Sequence, residues 1–150
     1  MRVVIQRVTK AQVTIEQERS EHIDQGILVF LGIEMADGVA DVDWLVNKVL
    51  NLRIFDDEAG VMNKSLLDIK GELMVVSQFT LMAATKKGNR PSYIRAANHQ
   101  HAVPLYESFV EKAQVFLGTR VASGSFGALM KVSLDNEGPV TIVIDSKNRE

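Results

Sequence analysis

The 150-residue chain contains no cysteine. Disulfides, thiolate zinc sites and a cysteine nucleophile are therefore excluded, and a reducing cytoplasm is compatible with that absence. Long apolar runs are also missing. A bilayer-spanning helix needs roughly 18 or more such residues, and the longest run here, Ile27–Ile33, has the length of a buried strand. The opening Met1-Arg2-Val3-Val4-Ile5-Gln6-Arg7 has no extended apolar core of a signal peptide. The expectation is a cytoplasmic protein with no membrane partner. The usual catalytic signatures are absent as well: no GxSxG elbow, Walker A loop, GxGxxG fingerprint or HExxH pair.

Acidic residues are missing from one long segment. Between Leu73 and Tyr106 there is no Asp or Glu, while Lys86, Lys87, Arg90 and Arg95 give the segment a charge of +4. The whole chain carries −2, so the remainder carries −6. Net charge alone argues against a general nucleic-acid binder. A local basic patch on an acidic protein has two readings: a specific anionic partner, or an exposed loop that lacks acids.

What is present suits one domain spanning residues 1–150, with 46% hydrophobic residues to supply a core. Arg2–Val8 is aliphatic and β-branched, and Ala11–Ile15 alternates apolar and polar with a period of two, which predicts strands. Glu16–Arg19 suits a hairpin turn with a return strand through Ile23. Ile27–Leu31 suits a central strand. Val42, Leu45, Val46, Val49 and Leu50 recur at helical spacing and predict a helix near Ala40–Leu52, with Asp37 or Asp41 as its cap. Arg53-Ile54-Phe55 reads as a short strand, Asp56–Gly60 as a solvated acidic turn without calcium-loop spacing, and Glu72–Thr80 as a strand. A second helix is predicted from Val103 to Leu117, with Pro104 in its first turn, Leu105, Phe109, Ala113 and Phe116 on its apolar stripe, and Gly118 at its stop. Seven or eight strands, two main helices and no regular βαβ alternation predict an α+β fold, with a largely antiparallel sheet curled or doubled into a barrel-like form.

Chemistry-bearing residues cluster where the apolar Leu73-Met74-Val75-Val76 turns polar at Ser77-Gln78-Phe79-Thr80. In a continuous strand, Ser77 and Phe79 share one face and Gln78 and Thr80 the other. A strand end bonded to nearby backbone and a cleft-facing hydroxyl pair are both compatible with this pattern. His22, His99 and His101 show no triad spacing, and "NHQH" (98–101) reads as a surface loop in preference to half a metal site.

A second feature is "NEGPVT" (136–141), between Met130–Leu134 and Val140–Ile144, which both read as strands. A plain hairpin favours Asn-Gly or Asp-Gly. Gly138-Pro139 is either an ordinary turn or a stiff piece of backbone aimed at something.

"SQFTL" (77–81), "KKGNRPSY" (86–93) and "SGSFGALMKVSLDNEGPVT" (123–141), together with "MRVVIQRVTKAQVTI" and "LVNKVLNLRIFDDEAGVMN", resemble the D-aminoacyl-tRNA deacylase family from residue 1 to about Asp145. Glu137 departs from the aspartate common at that place. The resemblance implies a hydrolase of translation quality control. It would cleave the ester between a D-amino acid and the 3′ end of tRNA, and glycyl-tRNA as well. No cofactor is expected, and the residues show no convincing metal ligands. It implies a homodimer in which Gly138-Pro139, as a cis pair, enters the other subunit's site and rejects L-aminoacyl groups. It implies a catalytic set of Ser77, Gln78, Phe79 and Thr80 with two readings. In one, the Thr80 hydroxyl is the nucleophile or orients the water. In the other, the RNA's own 2′-hydroxyl assists while Ser77, Gln78 and Thr80 position the ester and Phe79 supplies an oxyanion N–H or a wall of the adenine pocket. The lack of an obvious histidine partner favours the second. Arg7, Asn136, Met130 and Phe126 would be supporting residues, and Lys86, Lys87 and Arg90 would hold tRNA phosphates. Met130 and Phe126 also fit the core, and Arg7 also fits a surface strand. A general Ser/Thr esterase and a non-catalytic tRNA 3′-end binding module are the alternatives.

Overall fold

The computed structural model describes all 150 residues. In chain order the elements are β1 (Arg2–Ile15), β2 (Arg19–Ile23), β3 (Gly26–Gly32), α1 (Val39–Asn51), β4 (Phe55–Asp56), β5 (Met62–Lys64), the one-turn α2 (Leu66–Ile69), β6 (Glu72–Ser77), α3 (His99–Leu117), β7 (Ala122–Ser123) and β8 (Met130–Asp145), with a 3₁₀ turn over Phe79–Met82 after β6. The main sheet runs β2-β1-β3-β6-β7, with β8 on the other flank of β1, and β4 and β5 form a separate hairpin. The sheet is mixed and nearly closed into a barrel. β1 pairs antiparallel with β2, β3 and β8, whereas β3–β6 and β6–β7 are parallel. β3 and β6 are apolar on both faces, as parallel strands covered on both sides require.

Two apolar layers explain the curl. Val42, Leu45, Val46, Val49 and Leu50 of α1 and Leu105, Phe109 and Ala113 of α3 pack on one sheet face with Ile5, Val29 and Val75. Val8, Val13, Leu28, Met74 and Val76 fill a smaller cluster inside the curl. Truncating a fully buried ring such as Phe109 to alanine typically costs about 3–5 kcal/mol. No helix is long and apolar enough to cross a membrane.

Several local expectations change. Arg2–Val8 and Ala11–Ile15 are one strand, because β8 follows β1 along nearly its whole length and absorbs the irregularity near Val8 by shifting register. Met130–Leu134 and Val140–Ile144 likewise belong to one strand, so Gly138-Pro139 is not a hairpin turn. Gln6 faces Thr141 and Val8 faces Asn136, which leaves Glu137, Gly138, Pro139 and Val140 bulging opposite Arg7 alone. Proline has no N–H for the ladder, and a bulge accommodates that.

The cap of α1 is Gly38, not Asp37 or Asp41. Asp41 reaches back to accept from the Gly38 N–H at 3.0 Å, and Asp37 accepts from the Glu34 N–H at 2.8 Å. The short strand near residue 54 is Phe55–Asp56. α3 begins at His99 instead of Val103: Asn98 Oδ1 accepts from the His101 N–H at 3.0 Å and starts the helix four residues early. "NHQH" is thus a helix start and not a loop, and Pro104 lies inside the helix instead of in its first turn. Phe116 is exposed, because the stripe of Leu105, Phe109 and Ala113 continues at Leu117, which packs on the core. Gly118 ends the helix in the left-handed region at φ 68° with its N–H on the Gln114 carbonyl.

Candidate functional site

β6 delivers the chain to the site and stops there. The Gln78 N–H donates to the Leu31 carbonyl at 2.8 Å, one step beyond the β3–β6 ladder. The backbone then folds into the 3₁₀ turn Phe79–Met82. The turn lies tightly on β3 because residue 32 is glycine: a Cβ there would sit 2.9 Å from Leu81 Cβ and 3.0 Å from the Gln78 carbonyl oxygen. The expected strand through Thr80 therefore ends at Ser77, and the predicted alternation of Ser77 and Phe79 against Gln78 and Thr80 does not apply. The cause is the turn's own hydrogen bonding. Leu81 N–H donates to the Gln78 carbonyl at 3.2 Å and Ala83 N–H to the Thr80 carbonyl at 3.1 Å. The N–H groups of Phe79 and Thr80 precede the first of these bonds, as the leading donors of a helical turn do. Gln78 Nε2 donates to Thr80 Oγ1, tying the two side chains together.

Beside this turn is a cleft of about 450 Å³. Val76, Ser77, Gln78 and Phe79 form one wall, and Phe126, Leu129, Met130 and Val132 form the other. Its lining has no carboxylate, imidazole, amine or guanidinium. The structure thus brings Ser77, Gln78, Phe79, Phe126 and Met130 to one space, with Thr80 joined through Gln78. Phe126 is held edge-on between His99 and Tyr106, with ring centroids 5.4 and 5.9 Å away. The Tyr106 hydroxyl in turn donates to the Val75 carbonyl at 2.9 Å, with the Gly124 carbonyl at 3.3 Å. Burial pushes the Tyr106 phenol well above its ordinary range, although the Gly124 contact pulls the other way. It stays a neutral donor that clamps β6 to the segment bearing Phe126. Nothing in the residue pattern distinguished Tyr106 from a core aromatic.

Gly138 and Pro139 lie away from this cleft. The peptide bond between them is cis, and both residues are exposed. Neither residue is part of the cleft lining. Along β8, Val132 is the lining residue nearest to Gly138, and the six positions from one to the other span roughly 20 Å at the usual rise. Its base is anchored. Arg7 is buried, not a surface residue: Nε donates to the Glu137 carbonyl at 3.2 Å and Nη1 to the Ile54 carbonyl at 2.6 Å. Its guanidinium also faces the carboxylates of Asp56 at 3.4 Å and Glu137 at 3.6 Å. Asn136 Nδ2 donates to the carbonyls of Arg7 at 3.1 Å and Val140 at 2.9 Å, bracing both sides of the bulge. The Ile54 and Asp56 contacts were not legible in sequence, since 47 and 49 residues separate them from Arg7.

Lys86, Lys87 and Arg90 sit on an exposed loop closed by Ala84 and Ser92, whose N–H and carbonyl groups exchange bonds of 2.8 and 3.0 Å. Arg95 leaves the free patch because it pairs with Glu34 at 2.9 Å. Three unpaired cations remain of the four. The N-terminal end of α3 also differs from a ligand site: His101 Nε2 lies 2.9 Å from the Asp37 carbonyl oxygen, and His99 packs on Phe126.

Comparison with known proteins gives a consistent result. Residues 4–145 match the family described as D-Tyr-tRNA(Tyr) deacylase. A D-aminoacyl-tRNA deacylase of Bacteroides thetaiotaomicron is 57% identical, and one of Azobacteroides pseudotrichonymphae is 59% identical, each over all 150 residues and 100% of both chains. Among solved structures, one described as "c-Myc DNA Unwinding Element Binding Protein" is 41% identical with a TM-score of 0.89, covering 97% of this chain and 98% of that one. Another, described as a probable eukaryotic D-amino acid tRNA deacylase, shares the fold at a TM-score of 0.84 and 18% identity, covering 95% and 97%.

Proposed function

The chain belongs to the D-Tyr-tRNA(Tyr) deacylase family, and from that membership we propose how it acts as a D-aminoacyl-tRNA deacylase. It is a hydrolase whose substrate is the ester joining a D-amino acid to the terminal ribose of tRNA. The products are the free D-amino acid and a tRNA ready for recharging, which makes it a cytoplasmic enzyme of translation quality control. The observation that carries this reading is the apolar cleft whose polar end is the Ser77–Thr80 turn.

Water attacks the ester carbonyl carbon, and the negative charge develops on the carbonyl oxygen. The Phe79 and Thr80 N–H groups receive that charge. Preorganised donors of this kind are worth on the order of 3–4 kcal/mol each in comparable sites. The C–O bond then breaks, and the ribose oxygen leaves with a proton. A general base must lie within hydrogen-bond reach of the attacking water, and the cleft lining offers no titratable side chain. The vicinal 2′-hydroxyl of the substrate takes that place: it accepts the water's proton while its own proton passes to the departing 3′ oxygen. Ser77, Gln78 and Thr80 hold the ester against it, a proximity effect.

Selection against L-aminoacyl groups falls to Gly138-Pro139 of a second copy in a homodimer. Three observations support that reading. The pair is absent from the lining of its own cleft, its base is anchored by Arg7 and Asn136, and β8 pairs only with β1, leaving its other edge open. A side-chain pocket cannot read chirality when the side chain varies, whereas fixed backbone beside Cα collides with any L side chain. Glycine has no side chain to collide, so glycyl-tRNA is a further substrate. Lys86, Lys87 and Arg90 bind acceptor-stem phosphates.

A second reading is a nucleic-acid 3′-end binder without turnover. The lack of a titratable group in the cleft favours it, as does the 41% identical structure described as a DNA-binding protein. Incubating the protein with D-Tyr-tRNA and L-Tyr-tRNA in parallel separates the two. Rapid release of D-tyrosine alone is expected. Binding without release supports the second reading, and equal release from both enantiomers removes the chiral role.

A further inference from the structure

Two aromatic rings stand at the lip of the cleft. Phe79 lines it, and Tyr93 packs edge-on against Phe79 with ring centroids 5.1 Å apart at 73°. Tyr93 is not part of the cleft lining and is joined to it through the Phe79 ring. The two rings are 56% and 39% exposed, and the neighbouring Ile94 is 92% exposed, so these groups are not core residues. Tyr93 directly follows Ser92, the residue that closes the loop bearing Lys86, Lys87 and Arg90. On its other side, Ala97 N–H donates to the Ile33 carbonyl at 2.9 Å and Arg95 pairs with Glu34. Tyr93 is therefore held between two points of attachment, against the cleft-lining Phe79 and directly after the loop that carries three unpaired cations.

An exposed aromatic surface beside a cationic segment without carboxylates is the combination that binds single-stranded nucleic acid: rings take bases and cations take phosphates. We infer that the Phe79–Tyr93 pair is a stacking site for one unpaired base, that of the nucleotide preceding the esterified terminal one. The placement of Tyr93 outside the cleft selects that nucleotide, because the terminal nucleotide must enter the cleft with its ester. The charge of the adjoining loop selects a polyanion over an apolar protein partner. Tyr93 acts as a positioning residue: it fixes the strand's direction, so that the ester arrives at the Ser77–Thr80 turn and not merely near it. This rests on the proposed tRNA substrate and adds the base subsite.

The test uses the full chain and a fluorescent RNA hairpin ending in unpaired CCA, read by anisotropy. Tyr93→Ala is expected to weaken binding on the order of tenfold, the usual size for loss of one stacked base. Tyr93→Phe and Tyr93→Trp are expected to retain binding, and Tyr93→Leu to behave as Ala does. The slope of log Kd against log salt stays that of the wild type, because no phosphate contact is lost. With D-Tyr-tRNA the loss falls on KM, whereas D-Tyr-adenosine, which has no preceding nucleotide, is cleaved with an unaltered KM. Unchanged anisotropy in Tyr93→Ala, a reduced salt slope, or failure of Tyr93→Phe to bind overturns the stacking site. An equal KM rise on D-Tyr-adenosine overturns the choice of nucleotide. Wild-type protein that binds the RNA but cleaves neither substrate would sink the deacylase reading, while the anisotropy series would still decide the subsite.

Discussion

Arg7 Nε donates to the Glu137 carbonyl at 3.2 Å, joining the middle of β1 to the base of the Gly138-Pro139 bulge. The same guanidinium holds the Ile54 carbonyl and faces two carboxylates. Removing it leaves a buried carbonyl and two acidic groups without their cation. Arg7→Ala is expected to lose about 2–4 kcal/mol in urea unfolding. The D-to-L ratio of Tyr-tRNA hydrolysis should fall along with it. A folded variant that keeps the full ratio would show that Arg7 supports the fold alone.

Gly138 has φ 117°, and a Cβ there would lie 2.9 Å from both Arg7 Nη2 and Val140 Cγ2. An L side chain in that region is strained by roughly 1–3 kcal/mol. Gly138→Ala should therefore lower the unfolding free energy by about that amount and shift the bulge. D-Tyr-tRNA hydrolysis should drop more than tenfold in single-turnover kinetics. Unaltered rates would mean that the bulge tolerates displacement.

Thr80 accepts from Gln78 through its hydroxyl, and its N–H is one of the leading donors of the 3₁₀ turn. Because the backbone N–H survives substitution, Thr80→Ala is expected to keep measurable single-turnover deacylation, within roughly two orders of magnitude of wild type. Complete loss in a folded variant would make the hydroxyl the nucleophile.

Lys86, Lys87 and Arg90 have no ion-pair partner, so their charge is available to phosphates. Affinity for uncharged tRNA should fall as salt rises. Each alanine substitution should reduce the slope of log K against log salt by about 0.7–0.9. A Kd that ignores salt removes the loop from the interface.

Asp41 contributes to acid stability at the N-terminal end of α1. Burial acts to raise its pKa, but hydrogen bonds from Lys147 Nζ, Ser146 Oγ and the Gly38 N–H outweigh burial and lower it from 3.8 to about 2. A depressed folded-state pKa stabilises the protein above the unfolded value and loses that contribution as pH falls through the folded value. The unfolding free energy should decline between about pH 4 and pH 2. Allowing for the solvent screening of the exposed Lys147, the decline amounts to roughly 1–2 kcal/mol. Asp41→Asn should flatten that part of the urea-measured pH profile. A variant profile as steep as wild type would assign the acid transition elsewhere.

Period and composition were enough to find the α1 stripe from Val42 to Leu50, the doubly buried β3 and the strong β6, because apolar spacing reports which faces must leave water. The segment 77–80 was visible as a place where an apolar strand turns polar, and the loop with Lys86, Lys87 and Arg90 as a run without acids. Local pattern does not carry hydrogen bonds between distant residues. The 3₁₀ turn after Ser77 depends on the Leu31 carbonyl and on the missing Cβ of Gly32. The single strand β8 depends on β1 running alongside it, and the early start of α3 on one Asn98 side chain.

Residue identity determined what chemistry was available: hydroxyls and an amide at 77–80, a stiff Gly-Pro, cations without acids, and no thiol. Tertiary structure decided where that chemistry sits. It buried Arg7 against Glu137 and Ile54, set Tyr93 against Phe79, and left Gly138-Pro139 outside the lining of its own chain's cleft. Those relations join residues tens of positions apart. They exist only once burial of the two apolar layers has brought the strands and helices into register, and no local preference encodes them.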